Sequence, residues 1–308
     1  MTAAMPGRRR ALQPPQLWPI RRKPAARAVP LPERMAVVST SMTVFSIVAL
    51  WFVAHTLFLG ALEQGRAQDR LYGEFRSQLA AATAPTGGII RPGAPVALLS
   101  IPGLGFEQVV SEGTSSGVLL AGPGHRRDTV LPGQVGVSVI YGRASTFGKP
   151  FANLVSSGAS KTMTVVTGQG KTTYTLGEVR RAGDPMLPPP AATESRITLV
   201  SAEGSGRLGA LAPSEVVYID ATSVGTVFTP PGGRLNAISP AETPMASDTS
   251  VMPSLALCLG ALALVTVGAI YSRDKFGTVR TWVIATPIVL ALGWMTSDLT
   301  MYLLPNLL

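Results

Sequence analysis

Apolar positions along the chain fall into two kinds of run: long uncharged stretches, and short ones punctuated by glycine and proline. Residues 36–59 (AVVSTSMTVFSIVALWFVAHTLFL) are 24 positions without a formal charge. At ~1.5 Å rise per residue a helix of that length exceeds the ~30 Å hydrocarbon core of a bilayer. Residues 251–271 and 281–304 form a second and a third run of this kind. The pattern therefore predicts three transmembrane helices. Between the first two the period changes. Leu71, Phe75 and Leu79 are spaced four apart within EQGRAQDRLYGEFRSQLAAA, the repeat of one helix face. Residues 60–93 thus read as a juxtamembrane helix and linker, closed by PTGG at 85–88.

From 94 to 221 short β-type runs take over, clearest in APVALLS, GVSVIYG, KTMTVVTG, KTTYTLGEV, ITLVSA and EVVYIDA. Six or more such strands with turn residues between them predict a mainly β domain, closed as a barrel or folded as a sandwich. Residues 222–250 (TPPGG, SPAETP, ASDTS) are rich in Pro, Ser and Thr. They are expected to be a disordered linker back to the membrane.

Charge changes the picture by its location. The chain of 308 residues carries a net charge of +9, a mean hydropathy of +0.31 and only 14% charged residues. Residues 1–35 hold eight basic residues and one acid, and residues 272–280 hold three basic residues and one acid. These two segments account for the whole excess. The rest has 15 residues of each sign, so no polyanion-binding surface is expected and nucleic acid is not an expected partner. Lys and Arg mark cytoplasmic loops. The basic tail 1–35 and the loop 272–280 are then expected inside, and residues 60–250 outside. The tail itself is expected to touch anionic lipid headgroups. A cleaved signal peptide has a much shorter apolar region, ~7–15 residues, so the first run is expected to stay as an anchor.

A single cysteine, Cys258, lies inside the second apolar run, where burial in hydrocarbon disfavours the thiolate. His55 and His125 are the two histidines. No metal and no cofactor are expected from this inventory. Asp298 lies near the outer end of the third run. It reads as an interfacial carboxylate beside Tyr302 or as a polar contact to a neighbouring span.

Residues 95–221 resemble the sortase family, in particular the actinobacterial sortases. The resemblance rests on elements in order: PVALLSIPGLG, VVSEGTSSGVLLAGPGH, TVLPGQVG, TFGKPFANL, RITLVSA and EVVYIDA. It implies a closed sortase-type β-barrel over residues 94–221, placed outside the membrane. It also implies a chemistry in which a cysteine attacks a Thr–Gly bond of a sorting signal and an amine resolves the thioester. That chemistry uses a histidine for proton transfer and an arginine for the oxyanion.

This chain departs from the pattern at all three positions. The histidine position of the resemblance is Arg143, in YGRAST, and the cysteine position is Ala202. The arginine position falls at Ser214 and Glu215. His125 matches the GPGH element, separate from the catalytic histidine, and is expected to shape its loop. Ser201 precedes the lost cysteine, but alternation in a strand points it to the other face. Arg143 has two readings, an ion pair with Glu203 or a contact to a ligand in the groove. Arg207 reads as a loop charge that could approach the site of the missing arginine.

The resulting expectation is a membrane-anchored sortase-like pseudoenzyme, acting as a binding or assembly module of the cell envelope. Its groove candidates are Arg143, His125, Glu203 and Arg207. Expected partners are envelope or surface proteins, among them a sorting-signal-like peptide, together with membrane lipid and partner subunits within the membrane. An active, cysteine-independent transpeptidase or peptidase is the alternative. A purely structural membrane subunit is the third.

Overall fold

The computed structural model describes residues 46, 50–156, 161–204, 209 and 213–308. The basic tail 1–35, most of the first apolar run and Arg207 lie outside the described residues. The barrel and its helices belong to one compact unit, Val48–Leu308.

Eight strands make the barrel: β1 (Pro95–Ile101), β2 (Phe106–Glu112), β3 (Gly124–His125), β4 (Gly136–Tyr141), β5 (Thr162–Thr167), β6 (Gly170–Arg180), β7 (Ser195–Glu203) and β8 (Glu215–Ser223). They close in the order β1-β2-β3-β4-β7-β8-β6-β5. The β2–β3 and β4–β7 pairs are parallel and the others antiparallel. Closure leaves no open edge to pair with another chain. Six strands coincide, within a few residues, with the six short runs of the sequence. The pattern did not single out β2 and β3. β3 is only two residues long, and β2 begins with the polar FEQ before reaching its buried half.

Period-two alternation explains the single-sided strands. In β6, Thr172, Tyr174 and Leu176 are buried, while Lys171 and Thr175 are exposed. β7 differs, with buried residues on both faces. Ile197 and Leu199 join the barrel interior with Val96, Leu99, Val165 and Ile219. Val200 and Ala202 belong to a second apolar cluster with Leu119, Tyr141 and Leu307. That second cluster is the floor of the candidate site.

Among the described residues from His55 onward, five α-helices accompany the barrel: α1 (Gly60–Ala80), α2 (Ser116–Leu119), α3 (Ala152–Ser156), α4 (Met252–Phe276) and α5 (Thr278–Met301). A π-helical turn, His55–Leu59, leads directly into α1. α1 lies against the barrel. Gln68 clasps β2, donating through Nε2 to the carbonyl of Val109 (3.1 Å) and accepting from the Val109 N–H at Oε1 (2.7 Å). Phe75, on the same helix, is buried.

Residues 222–250 differ from the expected disordered linker. Phe228 exchanges backbone bonds with Gly133 and Val135 (both 2.9 Å). Arg234 donates to Glu112 and to the carbonyls of Thr129 (3.0 Å) and Gly88 (3.2 Å). The proline-rich composition described the segment as solvated, but a few anchor side chains hold it on the barrel. Beyond it, two helical stretches are long and apolar enough to cross a membrane: Thr249–Ala269, a 3-10 turn running into α4, and Val279–Met301 within α5. Their large apolar side chains, including Leu257, Leu264, Val279, Val283 and Leu290, are exposed rather than packed into a core.

Candidate functional site

The site forms where β4 and β7 run side by side in parallel register, Tyr141 opposite Val200. Just past the end of β4 the chain turns through Gly142 into Arg143. A Cβ on Gly142 would collide with the Phe151 ring, so only glycine fits there. Arg143 and Ala202, the histidine and cysteine positions of the resemblance, thus sit near the ends of adjacent strands.

Arg143 is fully buried, with 0% of its surface exposed. Its Nε donates to the carbonyl of Leu119 (3.2 Å), and Nη2 donates to the carbonyl (3.1 Å) and hydroxyl (2.8 Å) of Ser116. Nη1 reaches Thr146 Oγ1 (3.1 Å) and the backbone oxygens of Pro305 and Leu308 (3.5 Å each). The guanidinium carbon lies 5.4 Å from the centroid of the Phe147 ring. Burial pulls its pKa down to about 9, which leaves it protonated at neutral pH.

Two of the oxygens that engage Arg143, those of Pro305 and Leu308, belong to the segment after α5. This segment, residues 302–308, lies in the groove. Leu307 is completely buried in the cluster with Ala202, Leu119, Tyr141 and Val200. Its carbonyl accepts from the Ala144 N–H (3.0 Å). Thr146 Oγ1 donates to the Leu308 oxygen (2.6 Å), and Ser116 Oγ donates to the Leu304 carbonyl (2.8 Å). Asn306 is likewise buried and donates to the carbonyls of Thr114 (2.8 Å) and Thr243 (2.9 Å). An open cleft of about 290 Å³ borders Ala202 as well, lined by Ala144, Lys149, Ala152, Val155 and Glu203.

The remaining sequence candidates are dispersed. The expected Arg143–Glu203 ion pair is not formed: Glu203 pairs with Arg181 at 2.8 Å. The reason is enclosure, since Arg143 is turned into the tail contacts while Glu203 is partly exposed at the end of β7. Ser214 and Glu215 are exposed at the start of β8 and bring no arginine to the site. His125 is buried between other partners, with Nδ1 3.0 Å from Glu112 and Nε2 2.8 Å from the carbonyl of Val130. Ser201 donates its hydroxyl to the carbonyl of Gly142 (3.0 Å), so its proton points at a backbone acceptor rather than at a base.

The site thus lies on a closed barrel of mixed parallel and antiparallel strands, at the β4 and β7 ends. Residues 99–206 match the family model described as Sortase domain, and the chain carries a domain of the sortase family. No curated protein matches it. Among solved structures, it is similar to a sortase D5 transpeptidase of Clostridium perfringens, at 19% identity over 53% of this chain and 98% of that one, TM-score 0.41. It is also similar to the SrtA sortase of Actinomyces oris, at 21% identity over 46% and 85%, TM-score 0.39. Sortase E1 of Streptomyces coelicolor, solved with a tripeptide in its active site, gives 19% identity over 44% and 91%, TM-score 0.35.

Sequence reasoning missed Ser116, Thr146, Asn306 and Leu307. One signal was available. A buried arginine needs several oxygen acceptors, and the polar Pro305-Asn306 pair inside an apolar ending, MYLLPNLL, offers backbone carbonyls that cannot continue a helix.

Proposed function

We propose that this protein is a catalytically inactive, membrane-anchored sortase homologue that serves as a binding or assembly module at the outer face of the cell membrane. The observation that carries this reading is the state of Arg143. A base must accept a proton in the reaction, and a guanidinium has five donors and no acceptor. Here those donors are also committed to the chain's own oxygens. Where the cysteine of an active sortase would stand, Ala202 offers only a methyl group, in the apolar cluster that Leu307 completes.

The location of the whole net positive excess in 1–35 and 272–280 supports an orientation with those segments inside and the barrel outside. Three spans follow if residues 36–59 cross as well. Sortases act on surface proteins that carry sorting signals, and such a protein is the natural partner. The cleft beside Ala202 is where a segment of that partner would lie.

The test is turnover. The purified full-length chain, incubated with an LPxTG-type peptide and an amine acceptor, is expected to show neither cleavage nor transpeptidation. Loss of a nucleophile alone costs about 10⁶ in rate in a serine protease. Turnover that disappears in Ser201→Ala would overturn the reading in favour of a serine-dependent enzyme.

A further inference from the structure

A second cluster lies where the helix leading into α1 meets the end of α5. His55 is fully buried. Its Nε2 is 3.5 Å from Asp298 Oδ1 and 3.8 Å from Glu63 Oε2, and the three ligand atoms lie within 4.8 Å of one another. Neither His55 Nε2 nor Asp298 Oδ1 has a hydrogen-bond partner. A buried polar atom left without one is costly, and here two such atoms face each other.

The local backbone is built to make this meeting. Eight residues of regular α-helix leave two side chains about 80° apart around the axis. The π turn His55–Leu59 takes more residues per turn, and so swings Glu63 onto the face of His55. Turns of this kind concentrate at functional sites. On the other flank, His55 Nδ1 is 3.0 Å from Ser297 Oγ. A proton held on Nδ1 by that contact leaves the Nε2 lone pair directed at the two carboxylates, the arrangement that orients metal-binding histidines.

We propose that His55, Glu63 and Asp298 form a binding site for a single first-row divalent cation of the Zn²⁺ class, with a fourth position open to water. One imidazole and two carboxylates suit such an ion. Tetrahedral coordination at ~2.0–2.2 Å places ligand atoms ~3.3–3.6 Å apart. The His55–Asp298 separation of 3.5 Å already falls in this range, the His55–Glu63 separation of 3.8 Å lies just beyond it, and the two carboxylate oxygens, within 4.8 Å of each other, draw together on the ion. The partly exposed carboxylates, Glu63 at 36% and Asp298 at 44%, give the ion a way in. Bound there, it ties the segment entering the barrel domain to the last apolar helix. Histidine-based metal binding was not expected from the sequence, because His55 and Asp298 lie near opposite ends of the chain and only the fold joins them.

The experiment uses the full-length chain in detergent micelles, stripped with chelator and titrated with Zn²⁺ or Co²⁺. Elemental analysis after dialysis against Zn²⁺ is expected to find about one ion per chain. Co²⁺ is expected to give the intense visible absorption of a tetrahedral site. It should also quench Trp51 and Trp294, whose rings lie 6.2 and 5.4 Å from that of His55. His55→Gln, Glu63→Gln and Asp298→Asn should each weaken binding at least tenfold, and Ser297→Ala about tenfold. The carboxamide variants keep shape, and a thermal melt confirms that they fold. Failure of the wild-type chain to take up either ion would overturn the site in favour of a proton-linked cluster. Uptake that is unchanged in all three ligand variants would overturn it as well.

Discussion

Arg143 is a fully buried charge held by the chain's own oxygens. Moving its charge out of water costs several kcal/mol. Hydrogen bonds to a charged group return about 1.5–3 kcal/mol each, and the oxygens of Ser116, Leu119, Thr146, Pro305 and Leu308 surround it. Cutting the arginine away removes the desolvation cost with the charge, but leaves buried oxygens without a donor. Arg143→Ala is therefore expected to lower unfolding stability by about 1–3 kcal/mol, read as a shift of the denaturant midpoint of the full-length chain. Arg143→Lys should lose less, since an ammonium keeps the charge but not the planar fork that spans both α2 and the tail. Equal stability of all three chains would show that these contacts contribute nothing. The identities at positions 143, 202, 214 and 215 were legible in the sequence. Their surroundings were not, because part of the shell around Arg143 comes from Pro305 and Leu308, at separations of 162 and 165 positions.

At the scale of elements, the segment after α5 is seated against β7 and the turn that follows β4. Its seat has two parts. Leu307 packs with Val200 and Ala202 of β7, and Asn306 satisfies two carbonyls, those of Thr114 and Thr243. Gly117 in α2 lets the Tyr302 ring approach, since a Cβ there would collide with it. Asn306→Ala leaves both carbonyls unpaired at a cost of about 1–3 kcal/mol. The amide of Ala144, which donates to Leu307, should then exchange with solvent about 5- to 150-fold faster, at a factor of ten per ~1.4 kcal/mol. Gly117→Ala should act in the same direction by displacing Tyr302. Unchanged protection of Ala144 in both variants would mean that the tail is held by something other than these contacts.

At the scale of the molecule, the proposed arrangement places the barrel outside and the α4–α5 connection inside. Ser239 and Lys275 are exposed positions on the two sides of α4. In a Cys258→Ala background, cysteine at 239 should react with a membrane-impermeant maleimide in wall-free cells, and cysteine at 275 should react only after permeabilisation. The opposite pattern would invert the orientation. The apolar exposure of α4 and α5 is the physical basis of the prediction, since side chains such as Leu257 and Val279 have no protein core to enter. If the metal site is occupied, it adds a second link between the same parts of the molecule that the tail already joins.

Periodicity and charge are local properties of a chain, and they were sufficient for what is local here. Six strands, the α1 face bearing Phe75, and the apolar length of α4 and α5 follow from residues within a few positions of one another. The segment 222–250 marks the limit of that reasoning. Its composition resembles solvated chain, yet Phe228 and Arg234 find partners on the barrel far earlier in the chain, at Gly133 and Thr129. The identities of Arg143 and Ala202, on which the proposed inactivity rests, were likewise local and could be read directly. Tertiary structure alone decided that residues 302–308 would pack beside Ala202, that Arg143 would face them rather than Glu203, and that His55 would meet Asp298. Each of these pairings joins residues far apart along the chain and is set by how the barrel closes and where the last helix ends. No window of sequence contains both partners, so no pattern within the sequence could announce them.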